Sequence, residues 1–162
     1  MAEGEWTMTE TVFWPVRLVY LCGTITPDPK HLDWRKDAEE YFRIHGIGVL
    51  SPVRGKDPSN WHKDGLEGND DQVYSHGGFV ARDERDILRS DCILLYFSAA
   101  AKPGRQSIGT WAEMGYAKSE GIPIVVASDM PEVFGHPFVY RWATRVCPTL
   151  DEAMKYVRFL LS

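Results

Sequence analysis

Cys92-Ile93-Leu94-Leu95-Tyr96-Phe97, a polar interval, Gly109-Thr110-Trp111-Ala112-Glu113-Met114-Gly115-Tyr116-Ala117 and then Pro123-Ile124-Val125-Val126-Ala127 form the order that decides the fold. Two short β-rich apolar runs flank a segment that reads as a helix from Thr110 to Glu120, stopped at Gly121. A strand, a helix and a strand in that order make a parallel pair joined by a right-handed crossover. Glu113 then falls in the first turn of a helix just past a buried strand, where open α/β sheets place their chemistry.

The same alternation extends to both sides. Arg17-Leu18-Val19-Tyr20-Leu21-Cys22 reads as a first strand ending at Gly23. Leu32, Ala38, Tyr41 and Phe42 recur at helical spacing up to Gly46, which can cap the helix. Ile47 to Ser51 is a short second strand halted by Pro52, and Val80 to Ser90 a second helix, with Asp91 leading into the Cys92 strand. Thr144 to Cys147 reads as a fifth strand and Leu150 to Leu161 as a closing amphipathic helix. The expectation is an α/β three-layer sandwich, a five-stranded parallel sheet with helices on both faces. Residues 1–15 read as a tail and 16–162 as one domain, without internal repeat or low-complexity segment.

Composition agrees with one core: 162 residues with 44% hydrophobic and 12% aromatic content suffice for it. The net charge of -5, with acids and bases interspersed, lacks the basic footprint of a protein that binds nucleic acid polymers. Cys22, Cys92 and Cys147 each sit in an apolar run and read as reduced core residues. No apolar run is long enough to span a bilayer and the start is acidic and polar, so no membrane association and a cytoplasmic location are expected. The five histidines show no ligand spacing, and neither a Walker loop nor Gly-x-Gly-x-x-Gly is present, so neither a metal nor a cofactor is expected.

In a parallel sheet, every strand ends on one edge and every crossover helix starts there. Tyr20, Ser51, Arg54, Asp83 and Glu113 all fall on that edge, with Asp83 placed in the first turn of its helix. A long loop from Pro52 to about Gly78 would roof them. Two carboxylates and a tyrosine suit acid/base or nucleophilic work on a small polar ligand. Each also has a plainer reading: Thr110-x-x-Glu113 matches a capping box, Asp83 a helix-start charge, Tyr20 a core residue.

Val19-Tyr20-Leu21-Cys22-Gly23, Asp83 eight residues before Asp91, and Gly109-Thr110-x-x-Glu113-x-Gly115-Tyr116-Ala117 together resemble the nucleoside 2-deoxyribosyltransferase family, from about residue 17 to 128. The resemblance implies a flavodoxin-like fold and a homo-oligomer whose neighbouring subunit completes each site. It implies that Glu113 is the nucleophile attacking C1′ of a 2′-deoxynucleoside, that Tyr20 orients it, and that Asp83 protonates the departing base. Gly23 and Gly109, inside the matching motifs, would border the substrate. The partners implied are 2′-deoxynucleosides and free nucleobases.

The chain departs from the family pattern at informative places. Ser107 stands six residues before the nucleophile, where many transferases have a base-binding aspartate and the related 2′-deoxynucleoside 5′-monophosphate N-glycosidases have a phosphate-contacting serine. Those hydrolases also carry an Arg/Gly-rich phosphate loop after the first strand, whereas Thr24 to Lys30 has neither paired glycines nor arginine. Val139 stands where transferases lend an asparagine to the neighbouring site, leaving His136, Tyr140 or Arg141 as substitutes, Arg141 being suited to a 5′-phosphate. Candidate base contacts in the roof loop are Arg54, Trp61, Asp70, Asp71 and Gln72. Three functions remain open at this point: base exchange, hydrolysis of a deoxynucleotide, and non-catalytic nucleotide binding.

Overall fold

A computed structural model describes residues 17–25, 32–54, 76–99 and 108–162. Five strands, β1 (Arg17–Gly23), β2 (Ile47–Leu50), β3 (Cys92–Phe97), β4 (Ile124–Ser128) and β5 (Arg145–Cys147), form one sheet in the order β2-β1-β3-β4-β5. Every pairing is parallel. This is the doubly wound order whose direction reverses between β1 and β3, and a ligand crevice opens at the carboxyl ends of those two strands.

Among the described residues six helices cover the sheet: α1 (Asp33–Ile44), α2 (His76–Arg89), α3 (Ile108–Ser119), α4 (Pro131–Phe134), α5 (Pro137–Trp142) and α6 (Leu150–Leu161). Strand residues alternate between faces with period two. Val19 and Leu21 therefore enter one core with Ala38 and Phe42 of α1 and Ala153, Met154 and Val157 of α6. Tyr20 and Cys22 enter the other, with Ile87 of α2, Met114 and Ala117 of α3, and Val133 and Val139 from α4 and α5. The α/β three-layer expectation holds.

Local chemistry explains the boundaries. Gly46 ends α1 at φ +72°, a conformation that costs a residue with a Cβ, and its N–H donates to Arg43 O at 3.1 Å. Thr149 caps α6 by accepting from the Glu152 N–H at 3.2 Å, with Asp151 and Glu152 in the first turn, and α6 spans the expected residues.

Two helices begin earlier than the sequence pattern predicts. α2 starts at His76, so Asp83 is its eighth residue and not a first-turn charge. Gly77 and Gly78, at the expected end of the long loop, fall in the first turn of α2, which tolerates them because its N–H groups lack intrahelical acceptors anyway. α3 starts at Ile108, which makes Thr110 the third helical residue, buried, and Glu113 the sixth. Neither the capping box nor the first-turn position of Glu113 survives. The short helices α4 and α5 were not legible in the pattern; each begins with a proline at its first position, a favoured start.

Candidate active site

β1 places Tyr20 and Cys22 two residues apart on one face, and α3 brings Glu113 over that face. The Tyr20 hydroxyl donates to Glu113 Oε1 at 2.7 Å, and the Cys22 thiol donates to Glu113 Oε2 at 2.6 Å. Both carboxylate oxygens are thus gripped by neutral donors from one strand. Tyr20 and Cys22 are both inaccessible to solvent.

The electrostatics keep those donors protonated. Burial pushes the Tyr20 hydroxyl far above the usual tyrosine range, and the Glu113 charge adds to it. Burial likewise pushes the Cys22 thiol well up, again reinforced by Glu113. Glu113 is itself raised above the ordinary carboxylate range: burial is the largest cause and the charge on Asp83 adds to it, while the bonds from Cys22 and Tyr20 and the positive charge of Arg35 pull the other way. Glu113 is therefore a desolvated carboxylate held in one orientation, with its reactivity little damped by hydration.

A cavity of about 170 Å³ opens beside it, lined by Val80, Asp83, Glu84 and Ile87 from α2 and by Gly109, Ala112, Glu113 and Tyr116 from α3. Apolar walls with three carboxyls, Asp83 and Glu84 from α2 and Glu113 from α3, suit a small, largely apolar ligand that must exchange a proton.

The sequence-predicted residues fare differently. Tyr20, Asp83 and Glu113 come together, and Gly109 borders the cavity. Gly23 ends β1 where a Cβ would stand 2.9 Å from both the Trp34 ring and Tyr96 O, so only glycine fits there. Arg54 bonds the buried Asp86 at 2.9 Å, and its carbonyl accepts from Arg82 at 3.1 Å, which ties the chain after β2 to α2. Arg141 is exposed on α5 and is not among the residues described as lining the cavity. Val139 is buried in the core of its own chain. Trp61, Ser107, Asp70, Asp71, Gln72 and Lys30 lie outside the described residues. Sequence reasoning assigned Cys22 to the core alone and passed over Arg35, Glu84 and Tyr116. The period of two that selects Tyr20 selects Cys22 as well, and this was the available signal.

A doubly wound sheet with a gripped carboxylate beside its switch point defines a protein of the class that works on small ligands at the strand ends. The family model described as nucleoside 2-deoxyribosyltransferase matches residues 19–140, and the chain belongs to that family. Among solved structures, it is similar to a 2-deoxyribosyltransferase of Bacillus psychrosaccharolyticus at 17% identity, with a TM-score of 0.64 over 86% of this chain and 91% of that one. A 2-deoxyribosyltransferase of Leishmania mexicana is similar at 15% identity, TM-score 0.61, over 88% and 97% of the two chains. The CMP N-glycosidase of Clostridium botulinum aligns at 13% identity, TM-score 0.54, over 88% and 99%. At these identities the likeness establishes a shared fold. A search of curated protein sequences finds no match. Among the described residues no helix is long and apolar enough to cross a membrane.

Proposed function

We propose that the protein exchanges the bases of 2′-deoxynucleosides by way of a deoxyribosyl ester on Glu113. The double hydrogen bond from Tyr20 and Cys22 to Glu113 carries this reading, because it fixes a desolvated carboxylate at the mouth of a cavity that Asp83 also lines. In the first half-reaction a Glu113 oxygen bonds C1′ as the C1′–N bond breaks. The base nitrogen keeps the electron pair and takes a proton from Asp83. An oxocarbenium-like transition state next to the carboxylate is stabilised by its charge, as in retaining glycosidases. In the second half-reaction an incoming base returns its proton to Asp83, attacks C1′ and releases Glu113. The site acts with residues from a neighbouring copy in a homo-oligomer, by the family resemblance.

Charge favours a neutral nucleoside over a nucleotide. Asp83, Glu84 and Glu113 line the cavity, and no basic side chain does so among the described residues. A second reading, cleavage of a 2′-deoxynucleoside 5′-monophosphate by water, is favoured by Ser107. Incubation with deoxythymidine and free adenine decides between them. Formation of deoxyadenosine is expected; thymine released only from the monophosphate, unaffected by adenine, would establish the hydrolase.

A further inference from the structure

Among the described residues, two arginines fix their guanidinium on backbone carbonyls at the ends of strands, and the chemistry above uses neither. Arg35 donates to Gly23 O at 2.8 Å and to Thr24 O at 3.4 Å, where β1 closes. Arg82, on α2, donates through Nη2 to Pro52 O at 2.6 Å and through Nη1 to Arg54 O at 3.1 Å, in the turn that follows β2, and its guanidinium carbon lies 5.9 Å from the centre of the Phe79 ring. Arg82 also meets a carboxyl of the site, with Nη2 at 3.5 Å from Asp83 Oδ1. The planar fork is held by two carbonyls from another element, so its charge stays beside Asp83 whether that acid is protonated or not. We propose that Arg82 is a positioning residue for Asp83: clamped on the turn after β2, it holds the Asp83 carboxyl in place and supplies the counter-charge that this carboxyl needs once its proton has gone to the departing base.

The inference rests on the exchange reaction proposed above and follows from its charge balance. At the start Glu113 carries the negative charge and Asp83 the proton. When a Glu113 oxygen bonds C1′, the carboxylate becomes a neutral ester, the electron pair of the C1′–N bond stays on the base nitrogen, and the Asp83 proton moves to that nitrogen. The negative charge has then crossed the cavity from α3 to α2. It leaves the donors Tyr20 and Cys22 and arrives beside Arg82. In the second half-reaction it returns. The other charged and titratable groups around Asp83 offer no such reception. On α2, Glu84 lines the cavity and repels the new charge, Asp86 is held by Arg54 at 2.9 Å with Arg89 at 3.8 Å, and Arg85 is exposed. Glu113 and Tyr116 face it from α3 and the neutral Tyr20 from β1, while the Arg54 guanidinium after β2 is engaged by Asp86. The Arg82 and Asp83 side chains are 29% and 18% exposed, so solvent screens their pair only in part.

The first test does not need turnover. Aspartate labelled at the carboxyl carbon is incorporated into the full chain, the Asp83 signal is assigned by its loss in Asp83→Asn, and the free protein is titrated by NMR. Removing the positive charge in Arg82→Met favours the protonated acid, so the Asp83 midpoint moves to higher pH by about one pH unit. In Arg82→Lys, which keeps the charge, it stays near wild type. In the exchange assay Arg82→Met loses roughly tenfold with natural bases and less than about threefold with a deoxyribosyl substrate whose leaving group needs no proton. The alkaline limb of kcat/KM, set by loss of the Asp83 proton, moves up with the midpoint, and Arg82→Lys recovers both. If Met at this position prevents folding, Arg82→Gln removes the charge and retains an N–H for the Pro52 carbonyl. An Asp83 midpoint that does not move when the charge is removed overturns the proposal, as do equal losses for both substrates with an unmoved limb, the pattern of an arginine that merely ties the turn to α2. Should wild type neither exchange nor release a base, the functional reading fails, and the titration still decides whether Arg82 is the counter-charge of Asp83.

Discussion

Two carboxylates stand at opposite ends of strand β1, and the chain treats them in opposite ways. Asp91, at the amino end, accepts from the Leu18 N–H at 2.8 Å and from Arg17 at 3.0 Å, while its own N–H bonds Leu18 O at 2.8 Å. It staples β1 to the start of β3 and is satisfied by a backbone dipole and a cation. Glu113, at the carboxyl end, receives from the described residues a hydroxyl and a thiol, faces Asp83 across a cavity, and is pushed towards its protonated form by burial. A carboxylate whose lone pairs are met by opposite charge at the surface is structural. One that is oriented by neutral donors and stripped of water is available to react. Asp91, which contributed to the family resemblance, is thereby explained as architecture, as is Ser90 before it, whose hydroxyl donates to Asp86 O at 2.8 Å.

The comparison breaks first at Glu113. Glu113→Gln keeps the shape of the side chain and removes the nucleophile, so base exchange should fall by about a thousandfold or more while the far-UV spectrum is unchanged. Initial rates of deoxyadenosine formation measure it, and a loss below about tenfold would place Glu113 with Asp91 among structural acids. Asp83→Asn should cost about a hundredfold with natural bases, because protonation of the leaving base is lost. The deficit should shrink for a deoxyribosyl substrate whose leaving group needs no proton; an equal deficit for both substrates would remove Asp83 from the proton path.

Tyr20→Phe sharpens the contrast at smaller amplitude, about tenfold in rate. The Tyr20 bond pulls Glu113 down, so its loss lets Glu113 rise further, and the acid limb of the rate profile should move to higher pH. A pH profile that keeps its limb while losing height would mean that Tyr20 shapes the site without tuning the carboxylate.

The fold and half of the candidate site were legible for different reasons. Buried parallel strands read as continuous apolar runs, and β3, β4 and α6 announced themselves with boundaries close to those observed. Tyr20, Asp83 and Glu113 were placed together because a parallel sheet delivers strand ends and helix starts to one edge, a rule that tolerates errors of a turn. Those errors occurred: Asp83 sits eight residues into α2 and still lines the cavity, because the stripe it shares with Val80 and Ile87 faces α3. Cys22 was hidden by its apolar neighbours, since an inaccessible cysteine in a strand looks like core until its partner across 91 residues is known. Arg35 was hidden more deeply. A buried arginine at the start of a helix carries no periodic signature, and only the carbonyls that receive it explain its place.

Stability gives the last and smallest contrast, in which the two carboxylates should differ in sign. Asp91→Ala leaves the Leu18 N–H without its charged acceptor and frees Arg17; the ion pair is exposed and adds little, so the loss should be about 2 kcal/mol. Glu113 behaves inversely. Its folded-state value is raised above that of the unfolded chain, so the stability it contributes is present below the unfolded value, near 4.3 for an ordinary glutamate, and is lost as pH rises through the folded value. Above that window the folded protein carries a buried charge that Glu113→Gln does not, and the variant should melt at a higher temperature than wild type near neutral pH. The difference should close as the pH falls to about 4, where both side chains are neutral. Paired thermal melts across that range test the sign. If Glu113→Gln instead melts lower at every pH, the bonds from Tyr20 and Cys22 outweigh the cost of desolvation, and Glu113 holds the fold together as Asp91 does.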